Sequence, residues 1–584
     1  MEKATSKHAP AVPPPSPSQS WRTSPHIGRA FTVILLVGLA LTPLKLLDFH
    51  PARVVSEDHG ICAQETPLVP STHSALFQAL GELYDTPQFK ETAAEKLGGA
   101  VRVPTESFDD MTAVGTDSRW DVFGDLHHYL RVAFPRVHET LEITAVNTYG
   151  LTYRWQGSDA SLKPILLVAH QDVVPVDQAT VSEWLHAPFS GDYDGKWIWG
   201  RGSADNKNGL IGILSSIENL IERGFKPRRP IVLAFGFDEE IHGLHGAAEI
   251  AAHLLREYGK DSFAILVDEG TGYSQENGAF FAKPAVAEKG YLDLTISIST
   301  AGGHSSVPPP HTSIGILALV ITHLESRPYP SRLIRDSPAY ETIQCIAAHA
   351  GELPDDLRSD IIRSVTSTRA LKRVEQAIFH GSQGDFYRSL FGTTQAVDII
   401  AGGVKVNALP ERANVAINHR VASDSSTSAV MSHLTAELKP IAERFNLAFT
   451  VLGANITSPH SSAGTLDISD PSHSRLDPSP VTSTKEAAWR LLAGTIRGTH
   501  ATGRGRASGE ELFVAPSLDG ANTDTRHYWD LTRNIFRYGH SDRNVDRRNG
   551  VIHTVNEAQG ADGFVEMIRF FTTLILNADE SNEL

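Results

Sequence analysis

Three apolar runs in this chain each end in residues of the kind that bind metal ions. Pro164–Ala169 leads into His170, Ile231–Phe237 into Asp238-Glu239-Glu240, and Phe263–Val267 into Asp268. A short apolar run bounded by turn residues reads as a strand buried on both faces, as in parallel sheets. In open α/β sheets, sites form just past the carboxyl ends of such strands. Three strands therefore deliver His, Glu and Asp to one edge, the arrangement a metal-dependent hydrolase needs. Between the first two runs lies Arg201-Gly202-Ser203-Ala204-Asp205-Asn206-Lys207. Its Asp205 precedes a helical run, Leu210–Ile221, where an Asp is commonly an N-cap. Here the glycines bring the backbone close, and a carboxylate at a sheet edge can also bridge two cations.

Strand and helix patterns alternate from Leu126 to Leu266, as a doubly wound α/β domain requires. After Asp268 the pattern changes. Tyr291–Thr300 alternates apolar and polar residues like a half-exposed antiparallel strand. Helical segments follow, then two strand-like runs, Ala396–Ala401 and Ala413–Val421. The expected fold is α/β: a catalytic domain with a mostly parallel sheet flanked by helices, built from residues 48–290 and 483–584. A smaller α+β lid or dimerisation domain, 291–455, is inserted into it. Residues 456–482, rich in Ser, Pro, Asp and Thr, read as a loop or linker.

Local chemistry sharpens the picture. Strand alternation puts Asp172 on the same face as His170, where it can orient the imidazole. Adjacent Glu239 and Glu240 repel unless a cation lies beside them. One can ligate while the other takes a proton from water. Gly302-Gly303-His304-Ser305-Ser306 presents an imidazole on a flexible turn. Far downstream, Ile552-His553-Thr554-Val555-Asn556-Glu557 offers a second metal-type histidine, with His540 as its rival.

At 584 residues the chain exceeds one ordinary core, and its formal charge of -16 argues against nucleic acid as a partner. There are 2 cysteines, Cys62 and Cys345, and no CxxC, so a thiolate zinc site is excluded. The two could form a disulfide if the body is lumenal, but sequence gives no distance between them. Residues 1–26, with Pro and Ser from Ala9 to Ser20, read as a disordered cytoplasmic tail. Ile27 to Leu47 is mostly apolar and densest at Phe31–Leu41, with Arg22 and Arg29 on the amino side of that part. That charge bias predicts a single-pass type II signal-anchor with the body lumenal. The rival is a cleaved signal peptide ending near Gly38-Leu39-Ala40, with a secreted body. One glycosylation sequon, Asn455-Ile456-Thr457, fits lumenal exposure.

Taken in order, His170-Gln171-Asp172-Val173-Val174-Pro175-Val176, Arg201-Gly202-Ser203-Ala204-Asp205, Asp238-Glu239-Glu240 and Gly302-Gly303-His304-Ser305 form a specific set. The chain resembles the zinc metallopeptidase family of carboxypeptidase S, glutamate carboxypeptidase and aminoacylase, from about Leu68 to the C-terminus. The resemblance implies two zinc ions. His170, Asp205 and Asp268 would hold one, and Asp205, Glu240 and His553 the other, with Asp205 bridging. Asp172 would orient His170, and Glu239 would be the general base. His304 would polarise the scissile carbonyl, acting across the subunit boundary of a possible homodimer. Asn407 and Arg526 would contact the substrate carboxylate. The implied activity is release of a C-terminal amino acid from short peptides, of Gly-Xaa type, in a vacuole- or lysosome-like lumen. An N-acyl-amino-acid hydrolase is the alternative. A non-catalytic peptide-binding relative is a further one, marked by a lost ligand, and no ligand is lost here.

Overall fold

The apolar run before the first histidine forms the strand Ile165–His170, every residue of it buried. It lies within an eight-stranded sheet of the computed structural model, which describes residues 60–457, 462–548 and 552–584. The expected tail and signal-anchor lie outside these residues. Among the described residues, no helix is long and apolar enough to cross a membrane.

Across this sheet the strands run Glu142–Val146, Gly150–Trp155, Ile231–Gly236, Ile165–His170, Ile265–Asp268, Ile535–Arg537, Ala285–Glu288 and Ser517–Asp519. The four from Ile231–Gly236 to Ile535–Arg537 are mutually parallel. Antiparallel pairings flank them on both sides. The sheet is therefore mixed, with four of its seven pairings parallel. Its parallel core matches the continuous apolar runs, whereas Gly150–Trp155 carries Thr152 and Arg154 and turns back on its neighbour.

Period-two alternation divides the central strand between two cores. Ile165, Leu167 and Ala169 pack with the helices Pro87–Val101, Lys207–Glu222, Ala487–Thr502 and Ala561–Glu580. Leu166 and Val168 pack against Ala247–Tyr258 on the other face. Register sets the working edge. His170 lies opposite Gly236, and Leu167 opposite Val267. Two carboxyl ends thus reach one level, and the third, at Asp268, stops two positions short of it.

A second, six-stranded sheet is inserted in sequence between Ala285–Glu288 and Ser517–Asp519. Its order is Thr394–Gly402, Arg412–Val421, Gly290–Thr300, Gly464–Ser469, Leu447–Val451 and Ala454–Thr457. Gly290–Thr300 alternates between buried and half-exposed positions, and the helices Ser313–Glu325 and Thr427–Arg444 cover its apolar face. The segment expected to be a loop, 456–482, contributes the inner strand Gly464–Ser469. Its signal is short: only Leu466 and Ile468 point into the core, amid Ser, Asp and Pro.

Between Ser313–Glu325 and Thr394–Gly402 the chain forms four helices, Pro338–His349, Asp355–Ser364, Thr368–Phe379 and Gly384–Phe391. They have their own apolar cluster around Tyr340, Ile343, Val374 and Phe379. Cys345, on the first of them, is joined to Cys62 with a Cα–Cα separation of 5.0 Å. That disulfide fastens the start of the described chain to this helical insert.

Candidate metal centre

His170 closes its strand with both ring nitrogens committed. Nδ1 lies 3.0 Å from the Asp172 carbonyl oxygen and 3.3 Å from its carboxylate. Nε2 points the other way, 3.3 Å from Asp205 Oδ1 and 3.5 Å from Glu269 Oε1. On the far side of Asp205, Oδ2 is 3.0 Å from His553 Nε2, which also lies 3.3 Å from Glu240 Oε2. Asp205 thus stands between two imidazoles, one oxygen toward each.

Two further acidic groups hold this arrangement. Asp172 is fully buried and accepts hydrogen bonds from the backbone N–H of Glu239 and of Glu240, each at 3.1 Å, and from Ser107 Oγ at 2.7 Å. Glu557, four positions past His553, accepts from the N–H of Gly202 at 2.9 Å and of Ala204 at 3.1 Å. Its other oxygen takes the Arg201 guanidinium at 2.6 Å. The Asp205 loop and the His553 loop are thereby tied together. Gly202 has φ +83°, and a Cβ there would run into Val173. The turn therefore requires glycine at that point.

The expected ligand Asp268 ends its strand below the level of His170. Leu167 opposite Val267 puts Asp268 level with Val168, two positions inside the sheet from His170. Its Oδ1 accepts from the N–H of Glu269 at 2.8 Å, and its Oδ2 is buried without a partner. Glu269 lies past the strand end and has one more methylene, so it reaches His170. Asn206 Nδ2 donates to its other oxygen at 3.1 Å.

The structure groups His170, Asp205 and Glu240, and likewise His170, Glu239 and Glu269, with ligand atoms within 4.8 Å of one another. His540 is elsewhere, buried against Tyr538 and Phe570 with Nδ1 2.8 Å from the Tyr538 hydroxyl. Asp205, Glu239, Glu240, Glu269 and His553 line a cavity of about 390 Å³, together with Arg543 and Arg547.

The electrostatics are those of carboxylates crowded out of water. Burial and the Glu269 charge push Glu239 well above its ordinary range. Burial raises Glu240, with Asp205 adding to it. Burial raises Glu269 to about 8 and Asp268 to about 7. Burial would also raise Asp205, but hydrogen bonds from His170 and His553 hold it well below the carboxylate range. Burial would lower His170, yet Glu269, Asp172 and Asp205 lift it well above neutrality. His553 is raised to about 10 by its contacts with Asp205 and Glu240. Glu240 Oε1 is buried with no hydrogen-bond partner. Such a set, two imidazoles and several carboxylates around one buried Asp, fits divalent cations, whose charge compensates the carboxylates and whose ligands are N and O atoms.

The expected substrate contacts do not gather here. His304 and Asn407 adjoin each other, Ser305 donating its N–H to the Asn407 carbonyl at 3.3 Å. Both are exposed, and neither lines the cavity. Arg526 sits in the turn Asp524–His527, within electrostatic reach of His242, Tyr291 and Arg420. Arg420 was not expected. Its guanidinium lies 4.6 Å from the Tyr291 ring centre and donates to Asn522 Oδ1 at 3.1 Å. Asn455 is exposed on the strand Ala454–Thr457.

The fold and the site define a metallopeptidase. The model of peptidase family M20/M25/M40 matches residues 166–408. Carboxypeptidase S of Saccharomyces cerevisiae is 40% identical over 523 residues, covering 89% of this chain and 89% of that protein. The N-fatty-acyl-amino acid synthase/hydrolase of Mus musculus is 31% identical, covering 84% of this chain and 88% of that protein. Among solved structures, human carnosine dipeptidase 1 superposes with a TM-score of 0.56 at 14% identity, over 88% of this chain and all 100% of the other, a likeness of fold. The chain belongs to peptidase family M20/M25/M40 and is a peptide hydrolase with carboxypeptidase relatives.

Proposed function

We propose that the chain is a di-zinc metallocarboxypeptidase that releases the C-terminal residue of short peptides, of Gly-Xaa type. The observation that carries this reading is Asp205 between His170 and His553, with Glu239 at the cavity wall. His170, Asp205 and Glu269 would hold one ion and Asp205, Glu240 and His553 the other. Bound zinc supplies Lewis acidity toward the amide carbonyl and makes water a nucleophile near neutral pH.

The protein groups then divide the work. Glu239 takes the proton of the attacking water, its basicity raised by burial. It returns that proton to the leaving amine. Asp172 fixes the backbone of Glu239 and the ring of His170 at once. Arg420 and Arg526 form no ion pair with any described carboxylate, and Arg526 Nε is buried without a partner. Two guanidiniums within reach of one another repel until an anion joins them, and a planar fork suits a carboxylate. They would anchor the free C-terminus and make the enzyme exo-acting.

His304 would complete the site from a second copy. It stands on the two-stranded ribbon Gly303–His304 and Ala408–Leu409, beside a loop where Val404 is 103% and Val406 99% exposed, an apolar edge that a homodimer would cover. The Cys62–Cys345 disulfide favours an oxidising lumen, consistent with a vacuolar or secreted body. Asn455 would carry glycan there.

The second reading, N-acyl-amino-acid hydrolysis, uses the same groups, and the mouse relative named above favours keeping it. The deciding experiment compares N-blocked Gly-Leu with N-acetyl-leucine and a long-chain N-acyl-leucine, with and without a zinc chelator. Chelator-sensitive release of leucine from the blocked dipeptide is expected. Cleavage of the acyl-leucines alone moves the assignment to the second reading. No cleavage with zinc bound contradicts both.

A further inference from the structure

Arg543 and Arg547 belong to the segment that precedes His553, and both line the cavity of the metal centre. Neither guanidinium forms an ion pair or a hydrogen bond with any described residue, and Arg547 Nε is buried without a partner. Other arginines around them have partners. Arg504 holds Asp546 through two bonds, at 2.8 and 2.9 Å, and Arg201 holds Glu557 at 2.6 Å. Arg548 lies 4.6 Å from the Trp199 ring centre.

The backbone that carries the pair is fastened. Asp546 is buried, and its carboxylate also accepts the N–H of Asp542 at 2.8 Å. The Asp546 carbonyl takes the N–H of Gly560 at 2.7 Å, and Arg543 donates its own N–H to the Tyr273 carbonyl at 2.9 Å. Arg547 pairs with Gln559 through the backbone. None of these contacts uses the two guanidiniums. A pair placed in advance binds an anion with less loss of entropy than a mobile one.

The carboxylates near the pair are already committed. Arg547 lies within electrostatic reach of Asp205, Glu269 and Glu557, and of Arg543. Asp205 faces His170 and His553, and Glu269 faces His170 and Asn206. Both are also assigned to the metal ions. Glu557 holds Arg201 and two backbone N–H groups. Asp519, on the same cavity wall, accepts the N–H of Ala521 at 3.0 Å and acts on Arg420. Two neighbouring cations short of counter-charge favour an anion between them, and the guanidinium fork suits a carboxylate.

Position indicates which carboxylate. The C-terminus of the substrate is assigned to Arg420 and Arg526, which have Tyr291 as a common neighbour. Arg547 groups with Asp205 and Glu269 instead. The scissile carbonyl has to lie at the ions, with the released residue extending toward Arg420 and Arg526. A group that reaches the other pair extends from the acyl side.

We infer that Arg543 and Arg547 form a subsite for the side-chain carboxylate of an Asp or Glu that directly precedes the scissile bond. The inference rests on the assignment above as an exo-acting peptidase and adds a preferred substrate class to it. Gly-Xaa peptides are then the smallest substrates accepted and leave the pair unmet, whereas acidic residues before Xaa meet it.

The test compares kcat/KM of the zinc-loaded full chain on N-acetyl-Glu-Leu and N-acetyl-Gln-Leu, beside N-blocked Gly-Leu. N-acetyl-Gly-Glu and N-acetyl-Gly-Gln place the same pair of side chains on the released residue. Calorimetry with the acyl products N-acetyl-glutamate and N-acetyl-glutamine gives a readout apart from turnover. The wild type is expected to favour Glu over Gln before the scissile bond at least about tenfold, the worth of a charged hydrogen bond, and to bind N-acetyl-glutamate more tightly by a similar factor. Arg547→Gln should bring both ratios to within about twofold, Arg543→Gln should lower both, and Arg547→Lys should keep part of each. A wild type that treats Glu and Gln alike while cleaving the blocked dipeptide overturns the inference and leaves the assignment standing, and that comparison needs no variant. A Glu preference at the released residue that Arg547→Gln abolishes also overturns it, as do variants that slow the Glu and Gln substrates equally. Failure to cleave any of these peptides with zinc bound removes the assignment and the inference together.

Discussion

The carboxylate of Asp172 accepts the backbone N–H of Glu239 at 3.1 Å. Asp172 belongs to the loop after one strand and Glu239 to the loop after its parallel neighbour. The same carboxylate lies 3.3 Å from His170 Nδ1. One buried side chain therefore sets both the metal-type imidazole and the proposed base. Removing it moves the two together, and replacing it with Ala leaves two buried N–H groups unpaired. Asp172→Ala is expected to weaken zinc binding about 10- to 100-fold, the usual effect of losing the partner of a ligating histidine. Zinc titration followed by absorbance or calorimetry checks this, and an unchanged affinity would show that the two loops hold themselves.

Glu239→Gln tests the base directly. The amide keeps the size of the side chain and cannot take a proton. Turnover of N-blocked Gly-Leu is expected to drop about 10²- to 10⁴-fold, with zinc content unchanged. If zinc is lost in step with activity, Glu239 is a ligand and another group is the base.

The Asp268-Glu269 pair gives a two-sided prediction. Glu269→Ala removes the oxygen facing His170 and is expected to lower zinc stoichiometry. Asp268→Asn changes a buried carboxylate whose Oδ2 has no partner and which burial pushes to about 7. Zinc content should survive that change. Metal analysis of both variants decides, and the reverse pattern would assign the ligand role to Asp268.

The pH dependence follows from buried histidines outside the site. His419 is fully buried in the inserted sheet, and burial lowers its pKa to about 4. Unfolded, its pKa is about 6.5. A folded pKa below the unfolded one means stability that is complete above about 6.5 and lost as pH falls toward 4. The loss from His419 alone is on the order of 3 kcal/mol. His419→Phe should therefore gain stability relative to the wild type as pH drops from 7 to 4. Urea midpoints across that range measure the difference, and a gap independent of pH would mean that His419 titrates alike in the folded and unfolded chain.

Much of the site was legible because its residues follow strands that announce themselves. His170, Asp205, Glu239 and Glu240 stand where continuous apolar runs or a glycine turn end, and His553 sits in its own late motif. Glu269 was not singled out, because only the tertiary fold brings its carboxylate to 3.5 Å from His170. Arg420 was hidden for a related reason. It lies near the end of an inserted strand, Arg412–Val421, and approaches Tyr291 and Asn522 only through the tertiary fold. The strand Gly464–Ser469 escaped because two buried apolar residues make too weak a period in a Ser- and Asp-rich stretch. The Cys62–Cys345 pairing spans 283 residues and needed the fold to bring its ends together.

The most direct test of the central claim is anomalous diffraction at the zinc edge from crystals of the zinc-loaded protein. Two peaks are expected, one enclosed by His170, Asp205 and Glu269 and one by Asp205, Glu240 and His553, with Asp205 touching both. A single peak, or a pair that leaves Asp205 unshared, would contradict the di-zinc site bridged by Asp205.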